Sequence, residues 1–286
     1  MPGIDQLLQD GIQRHRQGDT GGAAFYYREI LRQTPDHPEA LHLLGVTAHQ
    51  EQRHQEALEL IRRSLAEAPE TPACLYDLGE VYFALKHYSQ ARKSYQRVLQ
   101  RLPDHPEIWQ RLALCEQHSG NLVAAEQAFS RALELAPNNS RILHNYGLML
   151  FLQQHFRKAC DFFKKAITLK PDYAAAWYHL ALALEQQKLA TEALFCYNQA
   201  LQISPDLPGL RRRHVRCLQN CCAWQELKKA LRKLQAQTTQ ELSQGRIPEE
   251  SPFLHLTYSQ DLSHNLVIAQ SWATTLKTAI DNDQES

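Results

Sequence analysis

The stretch "AWYHLALALEQQKLATEALFCYNQALQISPD", residues 176–206, sets the register for the rest of the chain. Its Pro205 has counterparts at Pro171, Pro137, Pro103, Pro69 and Pro35, each 34 residues apart. Its Ala181 closes a second series: Gly11, Gly45, Gly79, Ala113, Gly147, Ala181. Its Ala193 closes a third: Ala23, Ala57, Ala91, Ala125, Ala159, Ala193. Its Tyr197 closes a fourth: Tyr27, Ile61, Tyr95, Phe129, Phe163, Tyr197. Four series in one register do not arise by chance.

Each series has a physical reason. A glycine inside a helix costs about 1 kcal/mol relative to alanine, so it belongs where two helices approach closely. The alanines supply the small side of the facing helix. The large residue four positions later lies on the same helix face. The proline sits beyond the second helix, which it cannot continue. Short turns such as "QGD" (17–19) and "SGN" (119–121) separate the helices. The predicted unit is two antiparallel helices in 34 residues, a period that marks stacked helical repeats. The pattern resembles the tetratricopeptide family, with Trp177, Leu180, Ala181, Ala193, Tyr197, Ala200 and Pro205 at its hallmark positions. Six units are expected: 4–37, 38–71, 72–105, 106–139, 140–173 and 174–207. The resemblance implies an all-α, right-handed α-solenoid. One helix pair cannot bury its apolar face alone, so stacked neighbours make a continuous core.

Composition narrows the function. The 286 residues hold 31 Lys+Arg and 31 Asp+Glu, so net charge points to neither nucleic acid nor an anionic membrane as partner. No apolar run approaches the roughly 20 residues that span a bilayer, and the start lacks a signal core. Seven irregularly spaced cysteines suit reduced thiols packed as small hydrophobes, and a cytoplasmic location.

The face of the first helices is the expected binding groove. Its lining positions hold His15, His42, His49, Tyr76, Phe83, Gln110, His118, His144, Asn145, Phe151, Tyr178 and His179. Rings of this kind supply contact area for a peptide or partner helix. Tetratricopeptide proteins that clamp a C-terminal carboxylate place an asparagine after the Gly/Ala position. Here Ile12, Val46, Glu80, Leu114, Leu148 and Leu182 stand there, so no such clamp is expected. The O-linked N-acetylglucosamine transferases carry an asparagine ladder two residues before it. Here Gln9, Leu43, Asp77, Arg111, Asn145 and His179 stand there, and Asn145 alone matches.

No phosphate loop or metalloprotease motif is present. His214, Cys217 and Cys221 share one helix face, but zinc needs four ligands, so no metal or other cofactor is expected. Residues 208–241 keep the unit length while Val215 and Leu227 replace the small residues, which reads as a degenerate, capping pair. This stretch is basic: Arg211, Arg212, Arg213, Arg216, Lys228, Lys229, Arg232 and Lys233. Such a run is a solvated face or a dock for an acidic partner.

A linker is expected at 242–252, then a segment at 253–281. In that segment Leu266, Ala269, Ala273, Leu276 and Ile280 recur at helical spacing, with Ile268 and Trp272 beside them. A helix over 263–280 follows, with Ser263 or Asp261 as its N-cap. It is expected to fold back on 215–234 as a cap, through Phe253, Leu256, Leu266, Ile268 and Trp272. The pieces Cys222–Trp224, Ser251-Pro252-Phe253 and Ala269-x-x-Trp272-Ala273 resemble the segment that joins repeats to the catalytic half of Spindly-type bacterial O-linked N-acetylglucosamine transferases. That resemblance implies a two-lobed sugar-nucleotide domain next, for which the 286 residues leave no room.

Three functions are therefore expected, in order. The first is a non-catalytic scaffold holding a protein or peptide in the groove. The second is the recognition arm of a split transferase. The third is an adaptor using the basic 211–233 face. No nucleic acid or membrane partner is expected.

Overall fold

The computed structural model describes residues 3–68, 71–259 and 261–284, with the side chains at 253, 262 and 275–284 outside the description. Pro69 and the Phe253, Leu276 and Ile280 side chains invoked above therefore lie outside the described residues. The described residues are helical and contain no strand. The chain divides after Ile142 into two compact units.

The first unit holds α1 (Ile4–Arg16), α2 (Thr20–Gln33), α3 (Pro38–Gln50), α4 (His54–Glu67), α5 (Pro72–Ala84), α6 (Tyr88–Arg101), α7 (Pro106–His118) and α8 (Leu122–Leu135). Each odd helix packs antiparallel on the even one that follows, and α2, α4 and α6 pack on the next pair. Local chemistry sets the starts. Pro38, Pro72 and Pro106 occupy the first helical position, where a missing N–H costs nothing. Asp19 Oδ1 accepts the Gly22 N–H at 2.8 Å, His37 Nδ1 accepts that of Ala40 at 3.2 Å, and Thr71 Oγ1 accepts that of Cys74 at 3.2 Å.

The core explains the glycines. Tyr27, Ile61, Tyr95 and Phe129 are fully buried. A Cβ on Gly11 would lie 2.6 Å from Tyr27 Cε1, and one on Gly79 2.6 Å from Tyr95 Cε1. On Gly45 it would lie 2.7 Å from Ile61 Cγ1. The glycine thus clears a seat for the large residue of the facing helix. At Gly45 the backbone also closes in, with Ala57 O at 3.3 Å.

The second unit begins within α9 (Ser140–Leu152) and continues with α10 (Phe156–Leu169), α11 (Ala174–Gln186), α12 (Ala190–Ile203), α13 (Leu210–Asn220), α14 (Trp224–Ser243), α15 (Pro252–Leu256) and α16 (Leu262–Gln284). Phe163 and Tyr197 are fully buried, and a Cβ on Gly147 would lie 2.8 Å from Phe163 Cε1.

The turns carry a period that the residue types conceal. Backbone φ is positive at Gly18, Gln52, Lys86, Gly120, Gln154, Lys188 and Cys222, again 34 apart. After each, the next N–H reaches the carbonyl five residues back, as in His87 to Tyr82 O at 2.8 Å and Ala223 to Leu218 O at 3.0 Å. This is the Schellman closure, which favours glycine. Two of the seven positions are glycine, so the other five carry strain. Lys188→Gly is expected to raise stability by about 1 kcal/mol, read as a shift in denaturant midpoint at constant slope. An unchanged or lowered midpoint would contradict it.

Cys222 shows that α13–α14 keeps the turn of a repeat although Val215 and Leu227 have replaced its small residues. Those two pack instead with Leu218 and Leu234. Helix α14 runs to Ser243, so the linker expected from 242 begins inside a helix. Glu241 explains the extension: its carbonyl accepts the Arg246 N–H at 2.9 Å and its Oε2 accepts the Glu249 N–H at 3.0 Å, turning the chain at Gly245.

Residues 249–272 then return to α13 and α14. Glu250 is fully buried, accepting the Thr238 hydroxyl at 2.6 Å and lying 2.8 Å from His255 Nδ1. Gln219 Nε2 donates to Thr257 Oγ1 at 3.1 Å, and Leu254 packs on the α13–α14 core. Ile268 is buried, and Trp272 Nε1 donates to Glu250 O at 3.2 Å. Leu256 and Leu266 depart from the expected cap: they are 50% and 58% exposed, because Leu254 takes the apolar seat of its turn and Ile268 that of α16. The cap of α16 is Asp261, whose Oδ1 accepts the His264 N–H at 3.0 Å, and not Ser263.

No described helix is long and apolar enough to cross a membrane. All seven cysteines are free, and five of them are buried.

Candidate functional site

In the first unit the odd helices bring a connected set of polar side chains to one face. His42 Nε2 on α3 lies 2.7 Å from Asp77 Oδ2 on α5. Glu80 on α5 lies 2.6 Å from Arg111 Nη2 on α7, and its other oxygen accepts the Tyr95 hydroxyl at 2.5 Å. Arg111 also stands 6.0 Å over the Phe83 ring, a cation–π arrangement. Phe83 meets Tyr88 at 5.4 Å and His118 at 5.6 Å, and His118 stacks on Tyr88 at 4.7 Å. His49 Nδ1 lies 3.1 Å from His54 Nδ1; burial and that neighbour hold its pKa below the ordinary 6.5. These side chains are mostly half-buried, so each is held by a neighbour and keeps an edge at the surface.

Asp77, Glu80 and Arg111 were absent from the residues expected to line the groove. They stand at positions where an asparagine clamp or ladder would need asparagine. The sequence signal was the sign of their charges on successive first helices: Asp77 and Arg111 share one register position, with His42 and Glu80 within a turn of it on α3 and α5.

The second unit differs. His144 is 6% exposed and sits among three partners. Its Nε2 lies 2.9 Å from His179 Nδ1, and its Nδ1 lies 3.2 Å from both Asn145 Oδ1 and the Tyr173 hydroxyl. His179 Nδ1 also lies 2.8 Å from Ala175 O. One proton per ring satisfies this set. A second would point N–H at N–H, and burial together with His179 holds the His144 pKa down at about 4. His144 is therefore a buried core group and not an open lining residue. Gln110 in the first unit, 3% exposed, is likewise a core group and not a lining residue. His15, Asn145, Phe151 and Tyr178 are half-buried, and Tyr178 rests 6.1 Å from the Tyr197 ring.

The basic residues fall into two groups. Lys228, Lys229, Arg232 and Lys233 are exposed along α14, while Arg211 lies 3.6 Å from Asp206. Arg212, Arg213 and Arg216 line a cavity with Gln219, Ser251, Leu254 and Thr257. No group of three or more His, Cys, Asp or Glu among the described residues is placed to hold a metal. Cys217 Sγ instead donates to Ala190 O at 3.4 Å. A wider apolar groove, about 760 Å³, lies along α10, α11 and α12 around Trp177, Leu184, Leu189 and Phe195. Trp177 and Leu180 were placed by the repeat as hallmark positions, while Leu189 and exposed Phe195, which complete the groove, stand at positions that the repeat pattern does not mark.

Tetratricopeptide-repeat models match residues 76–140, 140–173 and 174–207. Residues 76–207 are tetratricopeptide repeats. A model of subunit 3 of the anaphase-promoting complex, or cyclosome, matches residues 16–98. No curated protein sequence matches the chain. Among solved structures, a tetratricopeptide repeat protein from Parabacteroides merdae is 15% identical, covers 94% of this chain and 98% of its own, and has a TM-score of 0.68. PilF of Pseudomonas aeruginosa is 18% identical over 71% of this chain and 93% of its own, at 0.60. YrrB, described as a tetratricopeptide protein with an unusual peptide-binding site, is 20% identical over 59% of this chain and 88% of its own, at 0.52. At these identities the likeness is one of fold, and the tetratricopeptide helix pairs described above are that fold.

Proposed function

We propose that the chain is a non-catalytic tetratricopeptide scaffold that holds a protein or peptide on the first-helix face of α3, α5 and α7. The carrying observation is the bonded set His42–Asp77 and Tyr95–Glu80–Arg111 beside the Phe83, Tyr88 and His118 rings. Side chains already held by neighbours lose little further freedom when a ligand arrives. Arginine and aromatic side chains are the types that dominate interface energies. YrrB, of similar fold, is a peptide binder, which agrees with this reading. The test is cross-linking with mass spectrometry on the full chain from its native cells. Cross-links are expected to concentrate on residues 42–118, and Arg111→Ala or Phe83→Ala is expected to weaken capture at least about tenfold. Cross-links indifferent to both substitutions would sink the proposal.

A second reading makes the chain the recognition arm of a split O-linked N-acetylglucosamine transferase. The apolar surface at Leu256, Leu266 and Val267, 50%, 58% and 47% exposed, supports it, since it sits on the segment that resembles the joining region. A neighbouring reading frame for a two-lobed sugar-nucleotide domain would favour this reading.

A further inference from the structure

Helix α13, LRRRHVRCLQN, carries four arginines and no acid. Three of them lie in its first turn, where the helix dipole is positive and disfavours cations. Arg212 and Arg216, four apart, repel on one face. This arrangement opposes helix stability, so packing of the unit does not account for it. Among the described residues Arg211 alone finds an ion pair, with Asp206. Glu249 lies near Arg211 and Arg212, but its Oε1 accepts the Gly209 N–H and no ion pair joins it to either.

The three remaining arginines converge on one space. Arg212, Arg213 and Arg216 form one side of a cavity of about 420 Å³, and the returning segment closes the other with Ser251, Leu254 and Thr257. That volume suits a small ligand. The hydroxyls differ in what they can offer. Thr257 Oγ1 already donates to Leu254 O at 2.7 Å and accepts from Gln219 at 3.1 Å. Ser251 Oγ accepts the Leu254 N–H at 3.2 Å and keeps its own proton for a ligand.

We propose that this cavity binds a phosphate monoester as its dianion, with the phosphate oxygens shared among Arg212, Arg213 and Arg216. A carboxylate is satisfied by one guanidinium fork. Three terminal oxygens and two negative charges match three forks. The organic part of the ester lies against Leu254. The site is separate from the face of α3, α5 and α7, and its test does not depend on that face.

The experiment is calorimetric titration of the full chain at constant ionic strength with inorganic phosphate, O-phosphoserine, a phosphoserine peptide and glutamate. Saturable binding of O-phosphoserine is expected, at least tenfold tighter than glutamate. Arg212→Gln and Arg216→Gln are each expected to weaken it at least tenfold, and Lys228→Gln/Lys229→Gln to leave it unchanged. A phosphopeptide binding tenfold tighter than O-phosphoserine would assign the phosphate to a protein. Equal affinity would assign it to a free metabolite. Absence of saturable phosphate binding, equal affinity for glutamate, or equal loss in the α14 variant would overturn the proposal. The arginine variants are expected to melt no lower than the parent without ligand, since each removes a repulsion. Should they fail to fold, the rise in melting temperature of the parent with O-phosphoserine over glutamate decides alone.

Discussion

Gly79→Val is expected to destabilise the protein by about 3 kcal/mol, the upper end of what overpacking costs. The first added carbon would stand 2.6 Å from Cε1 and 2.9 Å from Cζ of Tyr95. That ring has no room to yield: it is fully buried, and its hydroxyl donates to Glu80, which is bound to Arg111. Burial and the Glu80 carboxylate also push the Tyr95 pKa well up, so the phenol stays protonated as the donor. The same register position holds Ala113 and Ala181, so a pair spaced for a methyl accepts one. Gly79→Ala is therefore expected near 1 kcal/mol, and the two γ-carbons of valine supply the rest. Chemical denaturation of both variants measures this. A cost for valine no greater than for alanine would show that the ring moves freely. Because each repeat contacts only its neighbours, the loss is expected to appear as early unfolding of α3–α8, visible in amide exchange, before the second unit opens.

Acidification from pH 7 to 4.5 is expected to remove about 2.5 kcal/mol through buried His144, and less through half-buried His214. Burial, with His179 beside it, lowers His144 from 6.5 to about 4. Burial, with Lys233 near, lowers His214 to about 4. A lowered folded pKa means that the unfolded chain binds more protons between about 4 and 6.5. Stability is thus full above 6.5 and drains away as pH falls toward 4. His179, also lowered by burial, shares its proton environment with His144, so the pair counts for less than twice one group. Glu249, raised by burial, works in the opposite direction and offsets part of the loss. Denaturation midpoints across this range read the effect. His144→Gln keeps a hydrogen-bonding amide and removes the titration, so its acid limb is expected to flatten by about 2.5 kcal/mol. An equally steep limb in that variant would show that His144 titrates normally.

The repeat was legible because its causes are local and recur. Proline fixes where a helix cannot continue, and a glycine or alanine faces a large residue in every unit. Even so, the sequence concealed the turn period, since Gln52, Lys86, Gln154 and Lys188 adopt the conformation that Gly18 and Gly120 adopt freely. There the closing hydrogen bonds override residue preference.

The candidate face was legible only in part. The ring positions Phe83 and His118, which meet at 5.6 Å, were expected from register. The pairing of His42 with Asp77 and of Glu80 with Arg111 joins different repeats, so it depends on how far one helix pair is offset from the next. The burial of His144 and Gln110 depends on the same offset, because exposure at a given register is set by the neighbouring helix and not by the residue itself.

By itself, then, the sequence determined the 34-residue period, the helix pairs and the seats of their cores, all of which follow from interactions within about one repeat length. The tertiary structure alone decided which charges meet across repeats. It also decided that Leu254 and Ile268, rather than Leu256 and Leu266, close the end of the second unit. It brought residues 251–257 back against the arginines of α13 to wall a half-open cavity. The return of 251–257 rests on contacts such as Gln219 to Thr257, 38 residues apart, with the buried Glu250 carboxylate bonded to Thr238 and His255 beside them, and no periodicity announces them.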